Sequence, residues 1–218
     1  MEIMCISDTH SLKTSSLLEA DVLVVAGDFC NYGDISEVCE FNELLNSFDC
    51  SNKIVVAGNH DVIFEDNKSL AVQSLQNATY LQDSSIIIDN IKFYGSPWQP
   101  KYGNWAFNLA KREELKERWD LIPNDTDVLI THSPPFGILD NTGKKKNGKI
   151  QKLGCKELMK AVRRIKPKLH VFGHIHGSYG IFEKKWKDGS KTTFINASIC
   201  TEDYTPINRP QVFTLEDE

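Results

Sequence analysis

The sequence of 218 residues predicts a sheet-rich α/β domain in which two packed sheets are flanked by helices. Two observations predict it. Apolar, β-branched runs of strand length alternate with helical periods through much of the chain, and a second set of short strands follows one another across turns, the texture of antiparallel additions to a mixed core.

Taken in order, buried strands are read at Glu2–Ser7 and Val22–Ala26, followed by a helical period on Ile35, Val38, Phe41, Leu44, Leu45 and Phe48. Lys53–Ala57 is the third buried strand. Ser85–Asp89 and Ile91–Gly95 follow one another across a turn, and Asp127–Thr131 returns to the buried texture. Leu153, Leu158, Met159, Val162 and Ile165 mark a second clear helix, and Leu169–Phe172 a fifth buried strand. Tyr179–Glu183, Thr192–Asn196 and Gln211–Leu215 complete the antiparallel set. Segment 140–151, rich in Lys, Asn and Gly, reads as a flexible loop. No shift in composition divides the chain, so residues 1–218 read as a single domain.

Composition narrows the partners. The chain is 40% hydrophobic and 25% charged, ordinary for a folded globular domain, which argues against disordered, collagen-like and coiled-coil classes. Thirty acidic residues against 25 basic ones give a net charge of -5, which disfavours duplex nucleic acid as a partner but leaves a small phosphate ligand open. No basic leader and no run near the roughly 20 apolar residues of a membrane helix is present, so the expected location is soluble and cytoplasmic, with no membrane partner. The six cysteines are dispersed without CxxC pairs and read as reduced thiols, Cys30 as a small packed side chain.

Polar residues collect where the buried strands end. Ser7 runs into Asp8-Thr9-His10, Ala26 into Gly27-Asp28, Ala57 into Gly58-Asn59-His60-Asp61, Thr131 into His132, and Phe172 into Gly173-His174-Ile175-His176. Open α/β sheets place ligands at such ends. Only His170 of the six histidines lies outside these motifs. Because residues i and i+2 of an extended segment share a side, Asp8 with His10, and His174 with His176, are expected to offer two ligands to one point. Adjacent Asn59 and His60 should diverge, leaving His60 free for another task. Asp8, His10, Asp28, Asn59, His132, His174 and His176 are more ligands than one tetrahedral ion uses, so the set suits two. Nitrogen and oxygen donors without thiolate fit Mn, Fe, Zn or Co better than Ca or Mg. Two such ions against two carboxylates leave a formal excess of about +2, which favours an anion and an acidified water, hence a phosphate ester.

The ordered motifs DTH, GD, GNHD, THSPP and GHIH resemble the calcineurin-like metallophosphoesterase superfamily. The likeness continues through YLQDS, YGSPWQP, NWAFN, LHVFGHIHGSYG and NAS-C, which is similar to the metallophosphoesterase-domain (MPPED) phosphodiesterase family. This resemblance implies a four-layer αββα sandwich with two mixed β-sheets. It also implies that Asp8, His10 and His176 hold one metal, Asn59, His132 and His174 the other, with Asp28 bridging. His60 would be the catalytic histidine that meets the phosphate or protonates the leaving oxygen. The implied activity is a metal-dependent phosphoric ester hydrolase acting through a metal-bridging hydroxide, most simply a phosphodiesterase. Cyclic nucleotides enter as candidate substrates through the resemblance alone.

Two departures bear on substrate. Serine/threonine phosphatases of this superfamily carry an acidic residue three places after the bridging aspartate; here that position is Asn31, whose carbonyl holds an imidazole but stabilises imidazolium less. Val56-Ala57 precedes GNHD where those enzymes have Arg-Gly. Arg112, Arg118, Arg163 and Arg164 fall in expected helices and Arg209 in the tail, so no bidentate phosphate clamp is evident. Diesters are therefore expected over monoesters. The alternatives are a phosphomonoesterase or protein phosphatase of the same fold, or a non-catalytic metal-binding scaffold. Trp98 is read either as a base-stacking ring or as a plug on its Pro-rich turn, and Lys144 to Lys146 with Lys149 as a solvated loop or a steering lid.

Overall fold

Alternation along the strands sorts side chains onto two faces, and the sorted faces build the layers. The computed structural model describes residues 1–12, 19–142 and 150–216. In chain order its strands are β1 (Glu2–Ile6), β2 (Ala20–Ala26), β3 (Cys50–Val56), β4 (Thr79–Tyr80), β5 (Ser84–Ile88), β6 (Ile91–Ser96), β7 (Gln99–Pro100), β8 (Asn108–Leu109), β9 (Val128–Thr131), β10 (Asn141–Thr142), β11 (Gln151–Lys152), β12 (Leu169–Phe172), β13 (Gly180–Lys185), β14 (Lys191–Asn196) and β15 (Gln211–Thr214). The α-helices are α1 (Ile35–Leu44), α2 (Ile63–Asp66), α3 (Lys68–Ser74), α4 (Arg112–Asp120) and α5 (Lys156–Ile165).

One sheet runs β15-β1-β2-β3-β4 and the other β13-β14-β12-β9-β6-β5. Within the first, β1 to β4 are parallel and β15 joins antiparallel at the edge. Within the second, β14, β12, β9 and β6 are parallel, while β13 and β5 pair antiparallel at the two edges. Both sheets are thus mixed, with antiparallel strands confined to the rims.

Met4, Ile6, Leu23, Val25 and Val55 face Val38, Phe41, Phe64 and Ala71 of α1 to α3. The alternate residues Ile3, Cys5, Val22, Val24 and Ile54 meet Phe93, Val128, Ile130, Leu169 and Val171 between the sheets. Leu129, Phe172 and Phe194 point the other way, onto Leu115 and Trp119 of α4 and Leu158 and Val162 of α5. The result is the αββα order of four layers. At roughly 1.5–3 kcal/mol for each large apolar side chain buried, these three interfaces supply the main favourable term of folding.

The second helix starts later than the periodicity suggests. Leu153 lies outside it because its N–H donates to Asp140 O at 3.0 Å, and Cys155 caps α5. The expected loop at 140–151 is in part a ribbon: Asn141 pairs with Lys152 and Thr142 with Gln151. The lysines Lys144 to Lys146 and Lys149 lie outside the described residues.

Candidate metal centre

Parallel pairing brings the C-terminal ends of β1, β2, β3, β9 and β12 to one edge, and main-chain hydrogen bonds lock their loops together. Asp8 N donates to Gly27 O at 2.9 Å, His10 N to Asp28 O at 3.0 Å and Gly173 N to His132 O at 2.9 Å. Four of the seven expected ligands depart from the extended backbone that the parity argument assumed. Asp8, His10, Asp28 and His174 have φ of 52°, 47°, 54° and 66°. Left-handed conformations cost non-glycine residues roughly 1–2 kcal/mol each and persist where the surroundings over-determine them, as they do at functional sites.

The motif glycines serve close approach. A Cβ at Gly58 would stand 2.2 Å from Asp28 Oδ1, and one at Gly173 would stand 2.0 Å from Asp8 Oδ2. Any side chain at either position would therefore displace a carboxylate.

The side chains converge on two neighbouring points. At the first, His10 Nε2 lies 3.3 Å from His176 Nε2, which lies 3.2 Å from Asp8 Oδ1. At the second, His132 Nε2 lies 3.1 Å from Asn59 Oδ1 and 3.2 Å from Asp28 Oδ2, with His174 beside it at a ring distance of 5.0 Å. Asp8, His10 and His176, and separately Asp28, His132 and His174, bring ligand atoms within 4.8 Å of one another. The parity expectation that His174 and His176 share a point fails, because His174 is left-handed and a 3₁₀ turn begins at His176. Each histidine serves a different group.

Main-chain carbonyls fix which ring nitrogen faces the cluster. His60 Nδ1 donates to Asn31 O at 2.6 Å, His132 Nδ1 to Ala26 O at 2.8 Å and His176 Nδ1 to Thr201 O at 2.9 Å. The neutral tautomer so selected leaves Nε2 as a lone pair. At His132 that lone pair points at two oxygens, a repulsive arrangement unless a cation or a proton lies between. Burial disfavours a charged His132, but Asp28 and Asp8 more than offset it and raise its pKa to about 9. For Asp28 burial works upward, yet His132 prevails and holds the carboxyl at about 2. Asp8 is likewise held well below the carboxylate range, against burial, by His176, His132 and His10. A buried donor set of nitrogen and oxygen atoms that demands positive charge fits divalent metal ions.

Asn59 and His60 diverge as adjacent residues do. Asn59 turns to His132, whereas His60 stacks on Trp105 at 3.9 Å and meets the edge of His10 at 4.6 Å. His60 also groups with His10 and Asp28 within 4.8 Å, so it borders the first point instead of standing clear of the cluster. The carbonyl that orients it is the Asn31 main chain, not the asparagine side chain; Glu37 in turn accepts Asn31 N at 2.7 Å and completes the capping box of α1 with Asp34.

Several participants escaped the sequence reading. Asp61, fully buried, accepts the N–H groups of Asp28, Cys30 and Gly58 at 2.8, 2.8 and 2.6 Å and thereby clamps the two loops. Ser7 and Ser198 hydroxyls hold Asp8 Oδ2 at 2.6 and 2.7 Å. The cleft, about 200 Å³, is also lined by Tyr102, Thr142, Leu153, Glu202 and Tyr204. Tyr204 packs on His10 at 4.8 Å and Tyr102 on His174 at 5.8 Å. Aromatic residues carry no ligand signature in sequence; only the GNHD and NAS-C motifs pointed at Asp61 and Ser198. Trp98 is the plug: its indole donates to Asp83 at 2.8 Å and the Arg118 guanidinium covers its ring at 4.3 Å.

A family model described as calcineurin-like phosphoesterase matches residues 1–178. Metallophosphoesterase domain-containing protein 1 of Homo sapiens is 43% identical over 97% of this chain and 70% of its own length. A UPF0046 protein of Caenorhabditis elegans is 40% identical over 99% of this chain and 75% of its own. A crystal structure from Thermus thermophilus superposes with a TM-score of 0.57 at 13% identity, covering 88% of each chain, which speaks to the fold alone.

Proposed function

Because the chain belongs to the calcineurin-like phosphoesterase family, we propose that it is a dinuclear, divalent-metal-dependent phosphodiesterase. The observation that carries the metal assignment is the pair of convergence points. In this reading Asp8, His10 and His176 hold one ion, Asn59, His132 and His174 the other, and Asp28 lies between them. The ions, of the Mn, Fe, Zn or Co class, would supply Lewis-acid stabilisation of the phosphate oxygens and an acidified water. Asp28 and Asp8 provide the charge that retains them, and the carbonyls of Ala26 and Thr201 keep two histidines in the ligating tautomer. His60, oriented by Asn31 O and packed on Trp105, presents Nε2 to the phosphate or the departing oxygen as catalytic group. Six unpaired cysteines support a reducing compartment such as the cytoplasm. We take residues 1–218 as one catalytic domain.

Preference for diesters rests on where the arginines go. Arg112 is engaged by Glu157, Arg118 by Asp83 and Trp98, and Arg164 by the carbonyls of Trp119 and Ile122. Among the described residues lining the cleft, the ionisable groups are histidines, tyrosines, Asp28 and Glu202, so no guanidinium meets a monoester dianion. At equal pH and Mn concentration, kcat/KM is expected to be higher for bis-p-nitrophenyl phosphate than for p-nitrophenyl phosphate. A monoester preference of about tenfold, worth ~1.4 kcal/mol of transition-state binding, would overturn the diester reading. Inertness towards both would favour the scaffold.

Loading should release protons. Metal-free His132, with its pKa raised to about 9, carries a proton at pH 7, and His176, opposed by burial but raised by Asp8, holds its proton more firmly than a free imidazole. Metal requires both neutral. Affinity is therefore expected to climb with pH from 6 to 8, about tenfold per unit for each proton displaced. Calorimetric titration in buffers of different ionisation enthalpy reads the proton count; a pH-independent, proton-silent titration would contradict it.

A further inference from the structure

Beside the cleft lies a second groove whose charge opposes that of the chain. Leu153 lines both; Thr142 of β10 stands at the cleft and Lys152 of β11, paired with Asn141, at the groove. Four cations, Arg112, Lys152, Lys156 and Lys160, face this groove against one carboxylate, Glu157. Glu157 is engaged by Arg112 and by Lys160, the latter at 3.0 Å. Lys152 and Lys156 instead lie over the ring of Phe136, at 6.0 and 5.2 Å from its centroid. Cation–π contact holds both ammonium groups at the same ring without neutralising them. In a protein of net charge -5, such a local excess at the mouth of a phosphoesterase cleft calls for a reason.

Resting on the phosphodiesterase reading, we propose that the substrate is a short single-stranded oligonucleotide, with one phosphodiester at the histidine and aspartate cluster and the following phosphates on Lys152 and Lys156. A diester with a single phosphate leaves the groove no anion to hold, whereas a nucleotide chain repeats its charge at every link. Duplex is disfavoured by the overall negative charge, and a positively charged groove that tracks the backbone is how single strands are held.

The test uses the full chain, with a fluorescein-labelled hexaribonucleotide as probe. Binding is read by anisotropy in chelator with the metals removed, so that no turnover intervenes, across roughly 50 to 200 mM salt. For Lys152→Ala/Lys156→Ala, affinity is expected to fall at least about tenfold and the slope of log K against log salt to become shallower by about 1.4, the release expected from two phosphate contacts on a single strand. In the metal-loaded enzyme, the ratio of kcat/KM for the unlabelled hexamer to that for bis-p-nitrophenyl phosphate should drop by the same tenfold factor. Unchanged affinity and slope, or equal losses on both substrates, would overturn the groove. If wild type hydrolyses no phosphodiester at all while lysine-dependent binding persists, the enzymatic reading falls and the groove stands. Turnover of bis-p-nitrophenyl phosphate with lysine-independent binding removes the groove and leaves the enzyme.

Discussion

Asp28→Asn is expected to lower phosphodiester turnover by on the order of 10³-fold, the upper end of what one electrostatic group contributes at a preorganised site. The carboxylate is buried and spoken for on both oxygens: Oδ1 accepts His60 N at 2.8 Å, and Oδ2 faces His132 Nε2 at 3.2 Å. The amide oxygen of asparagine can still accept from His60 N, so the loop carrying Gly58 to Asp61 should remain folded. What is lost is the negative charge that, in the proposed assignment, would hold two ions at once. Asp28→Ala removes the hydrogen bond as well, leaves a buried N–H orphaned and should add a stability loss of about 1–3 kcal/mol. Asn59→Ala touches only the second convergence point and should cost less activity than either. Near-normal turnover by Asp28→Asn at ordinary metal concentrations would remove the bridging assignment, and thermal melts of the three variants separate a lost site from a lost fold.

The second large effect belongs to His60. His60→Ala should leave metal content nearly intact and reduce hydrolysis of a ribose or alkyl diester by roughly 10²–10⁴-fold, the usual worth of a positioned general acid. With p-nitrophenolate, which departs without a proton, the loss should be smaller. Equal losses on both leaving groups would show that His60 binds the phosphate and donates no proton. Asn31→Ala is the control that the geometry supplies. The carbonyl holding His60 Nδ1 at 2.6 Å belongs to the main chain, so removing the Asn31 side chain should change turnover less than about twofold, well under the ~1.4 kcal/mol of a tenfold change. A large loss there would mean that the side chain orients the ring after all.

That control also marks where sequence reading stops. Strand ends were legible because β1, β2, β3, β9 and β12 are buried on both faces and break abruptly into polar residues. Period-two sorting then dictates the four layers: Met4 and Ile6 go one way, Ile3 and Cys5 the other. Beyond the strand ends local parity held for one pair and failed for the other: Asp8 and His10 meet at one point, whereas His174 and His176 part. Asp8, His10 and His174 all turn left-handed there, so the extended backbone behind the i, i+2 rule is gone, and which pair still converges is set by the loop contacts. The main-chain carbonyls of Asn31, Ala26 and Thr201 carry no residue signature at all. Trp105 against His60 depends on a contact between segments far apart in the chain, and the β10–β11 ribbon that carries Lys152 is too short, at two residues a strand, for any periodicity to encode.

One number decides the metal assignment: the divalent metal content of the chain after loading and removal of excess ion. Elemental analysis should return about two transition-metal ions per chain for wild type, the count that two-metal phosphoryl chemistry requires. Asn59→Ala should retain the first ion more firmly than the second. A reproducible content near zero would contradict the assignment, because the buried carboxylates and histidines would then be balanced by protons alone.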